Sequence, residues 1–308
     1  MLHLLALLPL RLLYGLSDIL AFLARRVMRY RLKVVRKNLR NSFPEKSPRE
    51  LRKIEKAFYR DLTDSIVETI KLLHISDEEL KRRVEVSNPD EMERIAAENP
   101  FIILYLGHYG NWEWVPATTL SLKSPKIMGS LYKPLRDKLI APLMMKMRDR
   151  LGIRLIPSRQ AYRRLLEMKA EGEPFMIGFI ADQRPVGGPF NHWTTFLNQP
   201  TAFLGGAETI GNRIGAKYLY LEMEKTKRGH YRLTYKEMEP SQTPAEDFPY
   251  TRRYFEMLEQ TIRREPAYWL WTHNRWKATP SDAVIAHHAP AEKPSGKTSP
   301  KAEAEISD

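Results

Sequence analysis

Six consecutive apolar or aromatic residues, Phe101-Ile102-Ile103-Leu104-Tyr105-Leu106, stand out in an otherwise mixed chain. A run this short and unbroken predicts a strand covered on both faces. Further strands are predicted at 126–132, 153–157, 175–181, 217–223 and 231–235, with helix-length segments near 135–150, 158–171 and 203–214 between them. Strands alternating with helices predict an α/β domain, a mixed, largely parallel sheet flanked by helices. Such sheets collect their ligand site at the carboxyl ends of the strands. Upstream, Ser47-Pro48-Arg49-Glu50 has the form of a capping box with proline at the first helical position. Leu51, Ile54, Ala57, Phe58, Leu62, Ile66, Ile70 and Leu73 then keep helical spacing, which predicts an amphipathic helix to about His74. The charged segment 77–83 reads as a solvated helical face or a loop.

The amino-terminal pattern is different. Residues 1–23 are mostly apolar, and residues 25–40 carry Arg25, Arg26, Arg29, Arg31, Lys33, Arg36, Lys37 and Arg40 with no acid among them. An apolar segment followed by a basic one predicts a membrane-anchoring helix over 1–24 with a cytoplasmic flank. Arg11 and Asp18 interrupt the apolar run, and seven residues apart on a helix they share a face and offset one another. Three placements stay open: a single span, a helix lying in the interface, or a soluble helix. A cleaved signal peptide is disfavoured, because the run has no basic n-region and no small-x-small site after it. Beyond residue 278 the chain turns to Ala, Pro, Ser, Lys and Glu, too poor in large apolar groups to offset its ordering entropy, and reads as a disordered tail over 279–308. The domain plan is therefore an anchor at 1–24, a domain at 25–278 (helical entry 25–99, α/β core 100–278) and the tail.

Composition narrows the chemistry. With 50 Lys and Arg against 37 Asp and Glu, the net charge is +13, so the partner is anionic: nucleic acid, an acidic membrane surface, or a phosphorylated or acidic substrate. The basic run abuts an apolar segment and no nucleic-acid motif is present, which favours membrane lipid over nucleic acid. No cysteine occurs, excluding disulfides, cysteine nucleophiles and cysteine zinc sites. There is no P-loop, serine elbow or zinc-protease motif, and neither His273 nor the His287-His288 pair shows metal-ligand spacing. The expectation is an activity without metal or cofactor.

Gly107-His108-Tyr109-Gly110-Asn111-Trp112-Glu113 directly follows the apolar strand, where an α/β domain places its site. On a regular helix, His108 and Glu113 would point about 140° apart. A turn at Gly110 lets both face one cavity, with Glu113 in the first helical turn. The histidine then serves as general base on an attacking hydroxyl, and the carboxylate fixes its tautomer. Spacing alone is more often a structural pair or a surface accident; strand placement and the flanking glycines bring the two readings level.

The same segment resembles the His-x-x-x-x-Asp/Glu box of the bacterial lipid A late acyltransferases. So, in order, do Arg36-Lys37-Asn38-Leu39 with Phe43-Pro44, Tyr132-Lys133-Pro134 with Met147-Arg148-Asp149-Arg150-Leu151-Gly152, Ala181-Asp182-Gln183 with Phe196-Leu197-Asn198-Gln199-Pro200-Thr201, and the tryptophan-rich Trp269 to Lys277. Two departures are Asn198, where the family pattern often has glycine, and Glu113, where many members have aspartate. The resemblance implies a glycerolipid-acyltransferase-like fold at the cytoplasmic face of the bacterial inner membrane. It also implies an acyl donor on acyl carrier protein or coenzyme A, and a phosphorylated, already acylated glucosamine disaccharide as acceptor. Relatives in the wider clan acylate other glycolipids.

Further site candidates follow. Arg148, or its neighbour Arg150, suits a phosphate, since a guanidinium matches phosphate geometry. Asp182, at a predicted strand end, either orients Arg148 or His108 or acts as a structural cap. Gln183 and Asn111 either touch substrate or shape their turns. Arg275 and Lys277 either engage lipid phosphate or lie on a solvated surface. Trp269, Trp271 and Trp276 suit a bilayer interface or the core. Beside acyl transfer stand two other classes: a nucleic-acid-binding protein, and a membrane-bound scaffold with a degenerate site.

Overall fold

The computed structural model describes residues 2–124, 127–132, 140–185, 190–242 and 247–277. Four helices, α1 (Leu2–Leu7), α2 (Leu10–Phe22), α3 (Leu32–Ser42) and α4 (Pro48–Lys71), lead into the α/β core, with a π-helical turn at Leu23–Val27 after α2. Then follow α5 (Asp77–Arg83), β1 (Val84–Val86), α6 (Pro89–Glu98), β2 (Phe101–Leu106), a 3-10 helix (Trp112–Leu120), β3 (Ile127–Tyr132) and α7 (Ile140–Asp149). The remainder is β4 (Arg154–Pro157), α8 (Ala161–Ala170), β5 (Phe175–Ile180), β6 (His192–Phe196), β7 (Gln199–Phe203), α9 (Gly206–Ile214), β8 (Lys217–Lys227), β9 (His230–Glu237) and α10 (Pro249–Arg264).

The main sheet has seven strands in the order β1-β9-β8-β2-β5-β3-β4, and only the β8–β9 hairpin is antiparallel. β6 and β7 form a separate antiparallel pair. The mixed, largely parallel sheet is as the strand–helix alternation predicts. β2 lies in its interior between β8 and β5, which is why its run is apolar on both faces: Ile102 to Leu106 are all buried. The predicted strands correspond to β2, β3, β4, β5, β8 and β9, while Lys126 lies outside the described residues. The β6–β7 hairpin, β1, α6 and α10 have no counterpart in the sequence reading.

The capping box forms as expected. Ser47 Oγ accepts from the Glu50 backbone N–H, and the Glu50 carboxylate accepts from the Ser47 N–H at 2.8 Å. The inward face of α4 carries much of its apolar stripe, with Phe58 buried and Leu51, Ile54 and Leu62 packed against the core, but it is acidic as well. Ile66 is exposed, whereas Asp61, Asp64 and Glu68 are buried against the β8–β9 hairpin and α2. Lys225 and Arg228 of that hairpin donate to Asp61 and Asp64, and Glu68 accepts from Tyr14, Asn111 and Tyr231. Burial pushes the Asp61 carboxyl up to about 7 against the pull of Lys225.

Among the described residues no helix is long and apolar enough to cross a membrane. The single-span placement of 1–24 is therefore unsupported. Pro9 separates α1 from α2, and α2 spends its polar groups on α4: Tyr14 on Glu68, and Ser17 on Thr63 and Asp64. Asp18 pairs with Arg60 and Arg228, so the expected offset by Arg11 is not the arrangement found. The tail expected over 279–308 lies outside the described residues.

Candidate active site

β2 and β5 run side by side with Leu106 opposite Ile180. Both strands end there, and two residues further on each chain lie His108 and Asp182. Register alone therefore brings them together. Asp182 Oδ1 is 2.6 Å from His108 Nδ1, and its Oδ2 accepts the His108 backbone N–H at 3.0 Å. Trp269 Nε1 donates to the same Oδ2 at 2.7 Å. Burial opposes ionisation of Asp182, but the His108 ring and these donors outweigh it and hold its carboxyl below the usual range. A carboxylate on Nδ1 fixes the tautomer that leaves Nε2 free to accept a proton.

Glu113 is placed differently from the expectation. Its carboxylate grips Arg148 through three hydrogen bonds, at 2.8, 3.0 and 3.2 Å, from Nη2 and Nε. The turn at Gly110 forms (φ +57°), and a Cβ there would meet Met223 Sδ at 2.6 Å, so only glycine fits. The turn then runs into a 3-10 helix that carries Glu113 towards Arg148 on α7. Asp182, and not Glu113, is thus the carboxylate on the imidazole.

A cleft of about 90 Å³ opens beside this pair. Leu104, Leu106, Met128, Leu131, Met176 and Ile180 give it an apolar wall, with Gly178 keeping the sheet floor bare, while Glu113 and Arg148 supply its polar end. Trp112 joins the cleft to the imidazole: it lines the one and packs edge-on against the His108 ring, with centroids 5.0 Å apart. On the far side of the imidazole, Gln183 Nε2 lies 3.1 Å from His108 Nε2.

The segment carrying Trp269 is strapped to the turn that carries His108. Gly110 N–H donates to Tyr268 O, Leu270 N–H to His108 O, and Tyr109 bridges Trp269 in antiparallel fashion. Asn38 of α3 holds the same segment through Trp271 O and His273 O.

A sequence model of the family described as bacterial lipid A biosynthesis acyltransferase matches residues 1–278. The chain belongs to that family. It is accordingly an O-acyltransferase. The palmitoleoyltransferase of lipid A biosynthesis from Escherichia coli (strain K12) is 25% identical over 274 residues, covering 89% of this chain and 87% of its own. The lauroyltransferase of the same organism is 25% identical over 275 residues, covering 89% and 88%. A lipid A biosynthesis acyltransferase from Shigella flexneri matches at 25% over 274 residues, covering 89% and 87%.

In this family member the remaining candidates separate clearly. Gln183 touches the imidazole, and Arg148 lines the cleft with Nη1 free of any hydrogen-bond partner among the described residues. Asn111 is buried and donates to Glu68, so it braces the turn rather than meeting substrate. Arg150 donates to Leu72 O and Ile75 O beyond the end of α4 and pairs with Asp77, a structural role. Arg275 is buried beneath Phe255 and donates to Ala202 O, and burial lowers its guanidinium to about 10, so it is not a surface phosphate ligand. Lys277 is exposed. Trp269 and Trp271 are core residues, not interfacial rings. Asn198 adopts φ +61°, the left-handed conformation that glycine enters freely and that asparagine tolerates. The sequence reading missed Trp112 and the acidic face of α4. Asp61, Asp64 and Glu68 recur at helical spacing, so that face was open to view as a stripe.

Proposed function

We propose that this acyltransferase moves a fatty acyl group from a thioester of acyl carrier protein or coenzyme A onto a hydroxyl of a phosphorylated lipid A precursor, with His108 as general base. The observation that carries the reading is the 2.6 Å contact of His108 Nδ1 with buried Asp182 beside an apolar cleft. His108 Nε2 removes the acceptor hydroxyl proton as the oxygen attacks the thioester carbonyl. The tetrahedral intermediate collapses to the ester, and the imidazolium returns its proton to the departing thiolate. Asp182 steadies the imidazolium. The acyl tail lies against Leu104, Met128 and Met176, over Gly129 and Gly178. Glu113 positions Arg148, whose Nη1, without a hydrogen-bond partner among the described residues, faces the anionic end of the substrates. Gln183 occupies the place of the acceptor hydroxyl and yields it on binding.

The amino-terminal helices embed in the inner membrane from its cytoplasmic face without crossing it. Support comes from an outward stripe in which Leu4 is 71% exposed, Leu12 60%, Ile19 58% and Val27 61%, a large apolar surface at helical spacing. The test is incubation of the purified protein with acyl-carrier-protein or coenzyme A thioesters and a lipid A precursor in mixed micelles. Mass spectrometry should show one added acyl group with wild type and none with His108→Ala. An unchanged precursor with every donor, alongside acylation of a different glycolipid, would reassign the acceptor.

A further inference from the structure

α3 and α4 wall a second cleft, of about 360 Å³, away from the catalytic turn. Its lining includes Arg36, Arg40, Lys46, Arg52, Leu51 and a single carboxylate, Glu55. That carboxylate is already committed: Arg25 Nε lies 2.8 Å from Oε1 and Arg36 Nε 2.7 Å from Oε2. Glu50 is bound to Ser47, and Glu45 on the same loop does not line the cleft. Arg40, Arg52 and Lys46 have no ion-pair partner among the described residues, Lys46 resting over the Phe43 ring at 5.7 Å. The cavity therefore holds three cations with no ion-pair partner among the described residues, Lys46 being in electrostatic range of Glu50, around a floor of Leu39 and Leu51. An isolated protein gains nothing from such crowding, since like charges in one concavity repel.

What should neutralise them follows from the position of Arg25. It sits in the π-helical turn whose Leu23 and Val27 end the exposed apolar stripe, and its bond to Glu55 fixes that end of the stripe to the cleft wall. A bilayer that receives Val27 and Met28 brings its headgroups to the cleft mouth. We propose that the α3–α4 cleft is a binding site for the phosphate of an anionic phospholipid, which fixes the depth and tilt of the protein on the membrane. The assignment rests on the interfacial placement of the amino-terminal helices. A phosphate on a glycerol backbone fits the lining: guanidinium and ammonium groups for the anion, and Leu39 and Leu51 for the first methylenes.

The test is equilibrium binding of the full chain to vesicles of phosphatidylcholine alone or with phosphatidylglycerol added, for wild type and for the combined variant Arg40→Gln, Lys46→Gln, Arg52→Gln. Wild type should bind the anionic vesicles more tightly, by about fivefold for each cation engaged, and salt should erode the gain. The variant should lose the gain yet bind neutral vesicles as wild type does. A variant that keeps the gain, or a wild type that shows none, overturns the assignment. If the variant keeps the gain but loses turnover only with donors carried on an acidic protein, the cleft docks that protein and the lipid assignment is overturned. Failure of wild type to bind neutral vesicles would remove the interfacial placement, while a cleft-dependent gain on anionic vesicles would still uphold the phosphate site.

Discussion

His108 and Asp182 stand 74 residues apart in the chain, the same offset as Leu106 and Ile180, which face each other across β2 and β5. The dyad is thus a continuation of strand register past the edge of the sheet. Its partners are fixed by the backbone before any side chain chooses a rotamer, and the imidazole tautomer is set with them. Nitrogen-15 NMR of histidine-labelled protein should find the His108 proton on Nδ1. Glu113→Gln should leave that tautomer unchanged, whereas Asp182→Asn should redistribute it. A change with Glu113→Gln alone would show that the carboxylates have been assigned the wrong way round.

Glu113 and Arg148 form one unit at the polar end of the cleft, with side chains mostly withdrawn from water. Removing either should raise KM, and the two losses should not add. The double variant Glu113→Gln, Arg148→Ala should be no worse than the poorer single variant, a coupling of about 1–3 kcal/mol in a double-mutant cycle on kcat/KM. Additive losses would mean that the two groups act separately.

The floor of the cleft depends on a missing side chain. A Cβ at Gly178 would meet only Leu106 Cδ2 at 3.4 Å and Gly129 O at 3.6 Å, ordinary contacts, so a larger residue is accommodated by filling the cleft. Gly178→Val should shift the transferred chain towards shorter homologues. Each excluded methylene is worth about 0.8 kcal/mol, so losing two changes the preference by about tenfold. Competition between donors of different length, read by mass spectrometry of the product, measures it.

The sheet was legible in the sequence because a doubly covered parallel strand leaves an unmistakable apolar run, as at Phe101–Leu106. The position of His108 was legible for the same reason, since it follows that run. The partner of His108 was legible only as one alternative, since Asp182 stood among the candidates from its strand-end position but nothing in the sequence chose it over Glu113. Which carboxylate reaches Nδ1 depends on the pairing of β2 with β5, a contact between distant segments that no local spacing encodes. The His–Glu spacing within the motif pointed to Glu113, but the 3-10 helix carries that side chain to Arg148 instead. Helix α4 was legible in part. Its apolar periodicity was genuine and places Phe58 in the core, but Lys225 and Arg228 of the β8–β9 hairpin draw the acidic face inward as well. The amino-terminal run read equally well as a span or as a surface helix until Pro9 and the α2–α4 hydrogen bonds decided its form.

His273 accepts the Arg184 backbone N–H through Nε2, and burial depresses its ring to about 4. The folded state therefore refuses a proton that the unfolded chain takes up below about 6.5. The unfolded state binds more protons in that interval, so stability is fully present above about 6.5 and declines as pH falls towards 4. His273→Gln, which keeps an acceptor for Arg184, should flatten this decline in denaturant midpoints measured from pH 7 to pH 4. An unchanged slope would place the acid sensitivity elsewhere.

In the proposed reaction His108, braced by Asp182, removes the acceptor proton. Single-turnover acyl transfer by Asp182→Asn, with acceptor binding measured alongside, tests that step most directly. The amide keeps the size of the carboxylate and removes the charge that steadies the imidazolium. Transfer should slow by about 10²–10⁴-fold with acceptor affinity unchanged. A rate equal to that of wild type would contradict the account.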